Sequence, residues 1–419
     1  MEQTARLLQA VDAHRDQLIE AVQALVRIPS ETGHEEEAQS FVAGLLSRLG
    51  FAVEQVVADR TLVENHPEFV PNPWPYASRP NVIGRVKGAG GGRSLILNGH
   101  TDVVSPAPLS AWTVDPWGAE IQDGRLYGRG AWDMKGGLVA AIFAAQAIRA
   151  SGITLRGDLA IHAVIEEEAG GGGGTLALLA AGHRADGMIC VEPNWAAVVA
   201  HPGILYSRIR VEGRSAHAGR GHLGVNAIEK LNRICAALFA LDRERAIRCQ
   251  YPLFQESWGR SCHLNIGTYR AGDWASTVPG SAEIEVRLSF IPGESMEAVK
   301  AEVESAVATA CVGDAWLLEH PPVLEWYGWR AQPWVQDSAD PLVGAVLDAT
   351  ARLGRPAAVA GKTAGLDCRF AAYFGMAALS FGPEGANIHG ADEWVSVESL
   401  VETCKALALT AVAYCGSGG

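Results

Sequence analysis

The stretch DLAIHAVIEEEAGGGGGT, from Asp158 to Thr175, sets three unlike textures end to end. Asp158–Ile165 is a short run dominated by aliphatic residues. It reads as a strand buried in an α/β sheet. Glu166, Glu167 and Glu168 follow at once, three carboxylates that repel one another. Gly170–Gly174 then lose much conformational freedom on ordering. The glycines predict a sharp turn into a helix beginning near Thr175; a second reading gives them as room for a ligand.

The same arrangement recurs outward along the chain, with a polar group closing an apolar strand. SLILNGHTD, from Ser94, ends on His100 and Asp102, and GMICVEPN, from Gly187, ends on Glu192. MAALSFG, from Met376, precedes GPEGANIHGADEW, which contains His389, and Asp133 stands before a helix in GRGAWDMKGG. In open α/β sheets the carboxyl ends of strands form the ligand crevice. One such group is most simply structural; the convergence of them predicts a site. Two imidazoles with carboxylates and no thiolate suit zinc or another borderline divalent ion. The set exceeds the three protein ligands that one catalytic ion takes. It therefore predicts a pair of ions sharing a carboxylate, suited to amide hydrolysis, with a separate general base.

Organisation obeys the same pattern. Apolar strands alternate with helices up to about residue 202, giving an α/β sheet covered on both faces. From Gly203 the order becomes strand, helix, two alternating strands, helix and a last strand in AWLLEHPPVLEW, a βαββαβ pattern fitting a ferredoxin-like α+β unit. Helix and strand alternate again afterwards. The reading is an α/β domain in two parts, 1–202 and 326–419, interrupted by an inserted domain at 203–325.

Composition excludes several classes. The chain has 419 residues, 48% hydrophobic and 19% charged, with a net charge of −13, which disfavours nucleic acid and anionic membrane as partners. Its N-terminus lacks the apolar core of a secretory signal, and runs such as LVAAIFAAQAI, from Leu138, are too short to span a bilayer. The 8 cysteines stand singly and read as reduced thiols of a cytoplasmic protein. GAGGGR, from Gly88, joins two strands and so reads as a turn. The five glycines lack the following Lys-Ser/Thr of a phosphate-binding loop.

Taken in order, NGHTDVV, GRGAWDMKGG, EEEAGGGG, EPN and IHGADEWV resemble the metal-site motifs of the acetylornithine deacetylase / succinyl-diaminopimelate desuccinylase family of di-zinc amidohydrolases, with aminoacylases and glutamate carboxypeptidases as relatives. The resemblance runs over essentially the whole chain, including RIPSETGHE and GRSAHAG. It implies an α/β zinc-hydrolase catalytic domain with an inserted ferredoxin-like lid and dimerisation domain, two Zn²⁺ (Co²⁺ as a substitute), and hydrolysis of a small N-acyl amino acid. A di- or carboxypeptidase acting on short peptides is the alternative. It further implies that His100 and Glu192 bind one ion, His389 and Glu168 the other, and that Asp133 bridges both. Asp102 would hydrogen-bond the His100 imidazole, Glu167 would be the general base, and Glu166 an outer group. A cis peptide would follow Asp133. In the insertion, His217 would reach the partner's active site in a homodimer and stabilise an oxyanion. Asn265 and Arg287 match positions that hold the substrate's carboxylate or assist the oxyanion; an exposed strand charge is the other reading of Arg287. GKTAGLDCRF, from Gly361, resembles a pocket-lining loop but departs from it at Ala364–Leu366, which leaves Thr363, Asp367 and Arg369 unassigned.

Overall fold

The computed structural model describes residues 2–418. The chain divides into two compact units.

The first unit comprises 1–199, 336–360 and 366–419. Its large sheet runs in the order Ala52–Val56, Asn81–Val86, Leu159–Val164, Leu95–His100, Gly187–Cys190, Ala377–Ser380 and Ala197–His201, and along the last strand the chain leaves this unit. The central four strands are parallel and the flanking ones antiparallel. Burial explains their composition: every residue of Leu95–His100, Leu159–Val164 and Gly187–Cys190 is buried. The helix Gly136–Ala150 is buried along nearly its whole length and packs on the long helix Val397–Cys415, which explains why both are rich in small and apolar residues. Gly88–Arg93 lies in the loop between the strands Asn81–Val86 and Leu95–His100.

The second unit comprises 200–335 and 361–365. Four antiparallel strands stand in the order Leu264–Ala271, Ser281–Phe290, Gly203–Glu212, Val323–Ala331. The helices Ala227–Arg248 and Met296–Cys311 cover one face around Leu231, Ile234, Leu238, Ile284, Val299 and Val303. This is the ferredoxin-like βαββαβ arrangement. One element differs from expectation. AWLLEHPPVLEW is not one strand: Ala315–Glu319 is a short helix, because the Asp314 carboxylate accepts the N–H groups of Trp316 and Leu317 as an N-cap. The strand starts only at Val323, beyond Pro321 and Pro322, and continues past Glu325 to pair Ala331 with Ile204. The unit consequently extends to Val335.

Candidate metal centre

Because the strands Leu159–Val164, Leu95–His100, Gly187–Cys190 and Ala377–Ser380 are parallel neighbours, their carboxyl ends share one edge of the sheet. His100 closes its strand, the glutamates come just after Val164, Glu192 comes after Cys190, and His389 lies in the loop beyond Ser380.

The glutamate turn is built by its glycines. Glu167–Ala169 forms a single tight turn, closed by the Gly170 N–H donating to the Glu167 carbonyl at 2.8 Å. Gly170 and Gly171 then take left-handed backbone angles, φ 109° and 67°. A Cβ on Gly171 would stand 2.3 Å from Asp367 Oδ1. Glycine is required here for both backbone and space. The next segment, Gly172–Leu176, is irregular, and only Ala177–Ala180 is regular helix.

Each side chain of the turn meets a different partner. The Glu166 carboxylate is fully buried and pairs with Arg79 at 2.7 Å; Arg79 also holds Glu35 at 2.8 Å. Glu167 Oε2 lies 4.0 Å from His100 Nε2. Glu168 lies 3.2 Å from His389 Nε2. Asp133 occupies the bent segment Ala131–Lys135 and is followed by a cis peptide, as the resemblance implies. One of its oxygens is 3.4 Å from His100 Nε2 and the other 3.2 Å from His389 Nε2. Glu192 Oε1 lies 3.7 Å from His100 Nε2.

Asp102 meets the His100 ring through its backbone carbonyl. His100 Nδ1 donates to the backbone carbonyl of Asp102 at 2.8 Å, whereas the Asp102 carboxylate is 3.5 Å away. A carbonyl only accepts, so Nδ1 carries a proton, and Nε2 faces Asp133 and Glu192. The Asp102 carboxylate instead accepts the N–H groups of Glu167 and Glu168, each at 3.1 Å, and the Thr32 hydroxyl at 3.0 Å. Its work is to hold the glutamate turn.

Against burial, Asp133 and the carboxylates around it hold the His100 imidazole well above its usual range, so a positive charge, proton or metal ion, is favoured between Nε2 and these oxygens. Asp102, Asp133, Glu167, Glu168 and Glu192 crowd two imidazoles, and the buried arginines nearby are matched elsewhere, Arg79 to Glu35 and Glu166, Arg129 to Glu393, and Arg369 to Glu68. The titration behaviour reflects that crowding. Burial, with Glu192 and Asp367 adding to it, drives the Glu167 carboxyl well above the usual range. Burial opposes protonation of His389, but Asp133 and Glu168 outweigh it and lift the imidazole to about 11. A tetrahedral site with ligand bonds of about 2.1 Å has edges of about 3.4 Å. The observed spacings of 3.2, 3.4 and 3.7 Å bracket that value. His100 with Glu167 and Glu192, and His100 with Asp133 and Glu168, also converge as two overlapping sets. The donor set therefore fits divalent metal.

In the second unit His217 is exposed, and its Nδ1 accepts the Gly219 N–H at 3.1 Å, which leaves Nε2–H free to donate. Asn265 and Arg287 are direct cross-strand partners, and Arg287 Nη2 donates to the Thr363 carbonyl at 3.3 Å. Arg287 thus braces the segment 361–365. Asp367 and Arg369 belong to the first unit and are fully buried.

Sequence reasoning passed over Glu393. Its carboxylate accepts the N–H groups of Gly130, Trp132 and Asp133 at 2.9–3.0 Å and pairs with Arg129 at 2.7 Å, fixing the backbone that carries Asp133. Its position inside IHGADEWV was the signal that could have found it.

Residues 96–413 match the model of Peptidase family M20/M25/M40, and the chain belongs to that family of hydrolases. It is 30% identical over 440 residues to the N-formyl-4-amino-5-aminomethyl-2-methylpyrimidine deformylase of Bacillus subtilis, with 99% of this chain and 98% of that one covered. It is 32% identical over 395 residues to the succinyl-diaminopimelate desuccinylase of Methylorubrum extorquens, covering 90% and 94%. Among solved structures it resembles the di-peptidase Dug1p of Saccharomyces cerevisiae, with a TM-score of 0.78, 17% identity and full coverage of both chains.

Proposed function

We propose that the protein is a two-metal amidohydrolase that removes the acyl group from a small N-acyl amino acid. The observation that carries this reading is Asp133, whose two carboxylate oxygens face two different imidazoles, those of His100 and His389. His100 and Glu192 would hold one ion, His389 and Glu168 the other, and Asp133 would bridge them. Zinc suits the ligands, and cobalt prefers the same donors. Bound there, the ions would polarise the amide carbonyl and acidify water. Glu167, its backbone N–H held by Asp102, takes the water's proton and returns it to the departing nitrogen. In a homodimer His217 would donate its Nε2–H to the developing oxyanion in the other protomer's site, and Asn265 and Arg287 would hold the substrate's carboxylate or assist the oxyanion.

Two of the relatives named above are a deformylase and a desuccinylase, which supports acyl removal over peptide cleavage. The dipeptidase reading is the alternative. We place the protein in the cytoplasm as a homodimer joined through its second unit. Its eight free, buried thiols suit a reducing compartment, and no helix among the described residues is long and apolar enough to cross a membrane. The test is a hydrolysis screen of formyl, acetyl and succinyl amino acids beside dipeptides, with zinc or cobalt supplied. Turnover of an acyl amino acid, abolished by chelator, is expected. Turnover of dipeptides alone would favour the alternative, and none with any amide would overturn both readings.

A further inference from the structure

Behind the glutamate turn lies a buried ionic group that the reaction above does not use. The Arg369 guanidinium is 1% exposed. Nε donates to Glu68 Oε2 at 2.6 Å, Nη1 to the Leu366 carbonyl at 2.9 Å, and Nη2 to the Gly170 carbonyl at 2.8 Å. Glu68 is fixed in turn by the Tyr373 hydroxyl, which donates to Oε1 at 2.7 Å. The neighbouring Asp367 accepts from the Thr175 hydroxyl at 2.5 Å, just past the glycines, and contacts Arg369 Nη1 at 3.4 Å.

Gly170 closes the turn that carries Glu167 and Glu168, and Asp102 holds the amide groups at its other end. The turn is therefore gripped at both ends, its first N–H groups by a carboxylate and the carbonyl of Gly170 by a guanidinium. The glycines supply no side chain with which the turn could anchor itself. Resting on the two-metal reading above, we infer that Arg369, braced by Glu68 and Asp367, is a positioning residue that sets where the Glu167 and Glu168 carboxylates lie. Arg369 touches neither substrate nor metal in this scheme. It acts through the backbone of Gly170. A planar fork is what the task requires, because three acceptors in different directions must be met at once.

The experiment compares Arg369→Met, Arg369→Lys and Glu68→Gln with the wild type. Metal per chain after dialysis against limiting zinc, kcat and KM, and the melting temperature are measured together. Displacing a reacting group by about 1 Å costs about a hundredfold in rate. Arg369→Met is expected to lose kcat by about ten- to a hundredfold with KM within about twofold. Its metal content should fall from two towards one ion, because Glu168 rides on the same turn. Arg369→Lys should recover part of both, since an ammonium reaches Gly170 but cannot span all three acceptors. Glu68→Gln should show the same direction to a smaller extent, and it decides the matter if Arg369→Met does not fold. A folded variant with wild-type metal content and kcat would overturn the inference. So would a loss of melting temperature alone that lysine does not relieve. If the wild type binds metal yet cleaves no amide, the proposed reaction fails, while the metal content of the variants still decides the role of Arg369.

Discussion

Replacing Glu167 with glutamine keeps the shape of the side chain and removes its ability to take a proton. Glu167→Gln should retain both metals and bind substrate while kcat falls by about 10²–10⁴. Glu168→Gln should be metal-poor, because an amide oxygen is a weaker ligand than a carboxylate, and excess zinc should restore part of its activity. Glu166→Gln is different again. From sequence this glutamate is merely an outer group, yet its carboxylate is buried against Arg79. Removing one partner of a buried ion pair costs about 3–5 kcal/mol, so Glu166→Gln should melt early and, where folded, keep its metal. Metal content, kcat and melting temperature of the three variants separate these outcomes. The assignments of Glu167 and Glu168 would exchange if Glu168→Gln proved metal-replete and inert. Acid provides a further residue-level test at His162, buried in the strand Leu159–Val164, where burial depresses the imidazole to about 3. The unfolded chain takes up this proton below about 6.5 and the folded chain does not, so stability falls by about 1.4 kcal/mol per pH unit below that point. His162→Leu should lose that part of the slope between pH 6.5 and 3. Denaturant melts of both proteins across that range measure it, and parallel slopes would refute the assignment.

The elements differ in how openly the sequence announces them. Strands such as Leu159–Val164 are legible because burial on both faces leaves only apolar residues, and the polar group that closes each strand then marks the site edge. Strand order brings His100, the glutamates and Glu192 to one edge, whereas the ligand roles given to Asp133, Glu168 and His389 rest on the family resemblance. The supports could not be read either way. Arg79, Glu68, Arg369 and Glu393 act through pairings across 87, 301, 301 and 264 positions of chain, and no local period marks such partners. Asp102 shows a finer limit: its place beside His100 was readable, but not that its carbonyl orients the ring while its carboxylate grips another turn. The helix Ala315–Glu319 is hidden by its apolar composition, since the Asp314 cap and not a periodic pattern sets it. The glycine turn gives this scale its prediction. Gly171→Ala meets both a left-handed φ and a close oxygen, whereas Gly152, φ 72°, has open space around its Cβ position. Gly152→Ala should cost about 1 kcal/mol, and Gly171→Ala clearly more, with loss of metal as the turn shifts. Equal melting temperatures for the two variants would count against a packed turn.

At the scale of the whole molecule, the proposed homodimer makes a quantitative demand. A chain carrying His217→Ala and a chain carrying Glu167→Gln should each be inactive alone. Mixed and allowed to exchange, half the dimers are hybrids with one intact site, so about a quarter of wild-type activity should return. No recovery between subunits proven to exchange would confine His217 to its own chain.

The bridging position of Asp133 between His100 and His389 has a consequence for biosynthesis. His100, Asp133, Glu168 and Glu192 are all translated before the second unit, whereas His389 and the brace Glu393 are translated after it. Chains are made from the N-terminus and domains fold as they emerge. On the proposed ligand set, a nascent chain would carry the carboxylates of the centre before the imidazole that completes the second seat. On the two-metal reading, the second ion would load only after the chain has returned to its first unit.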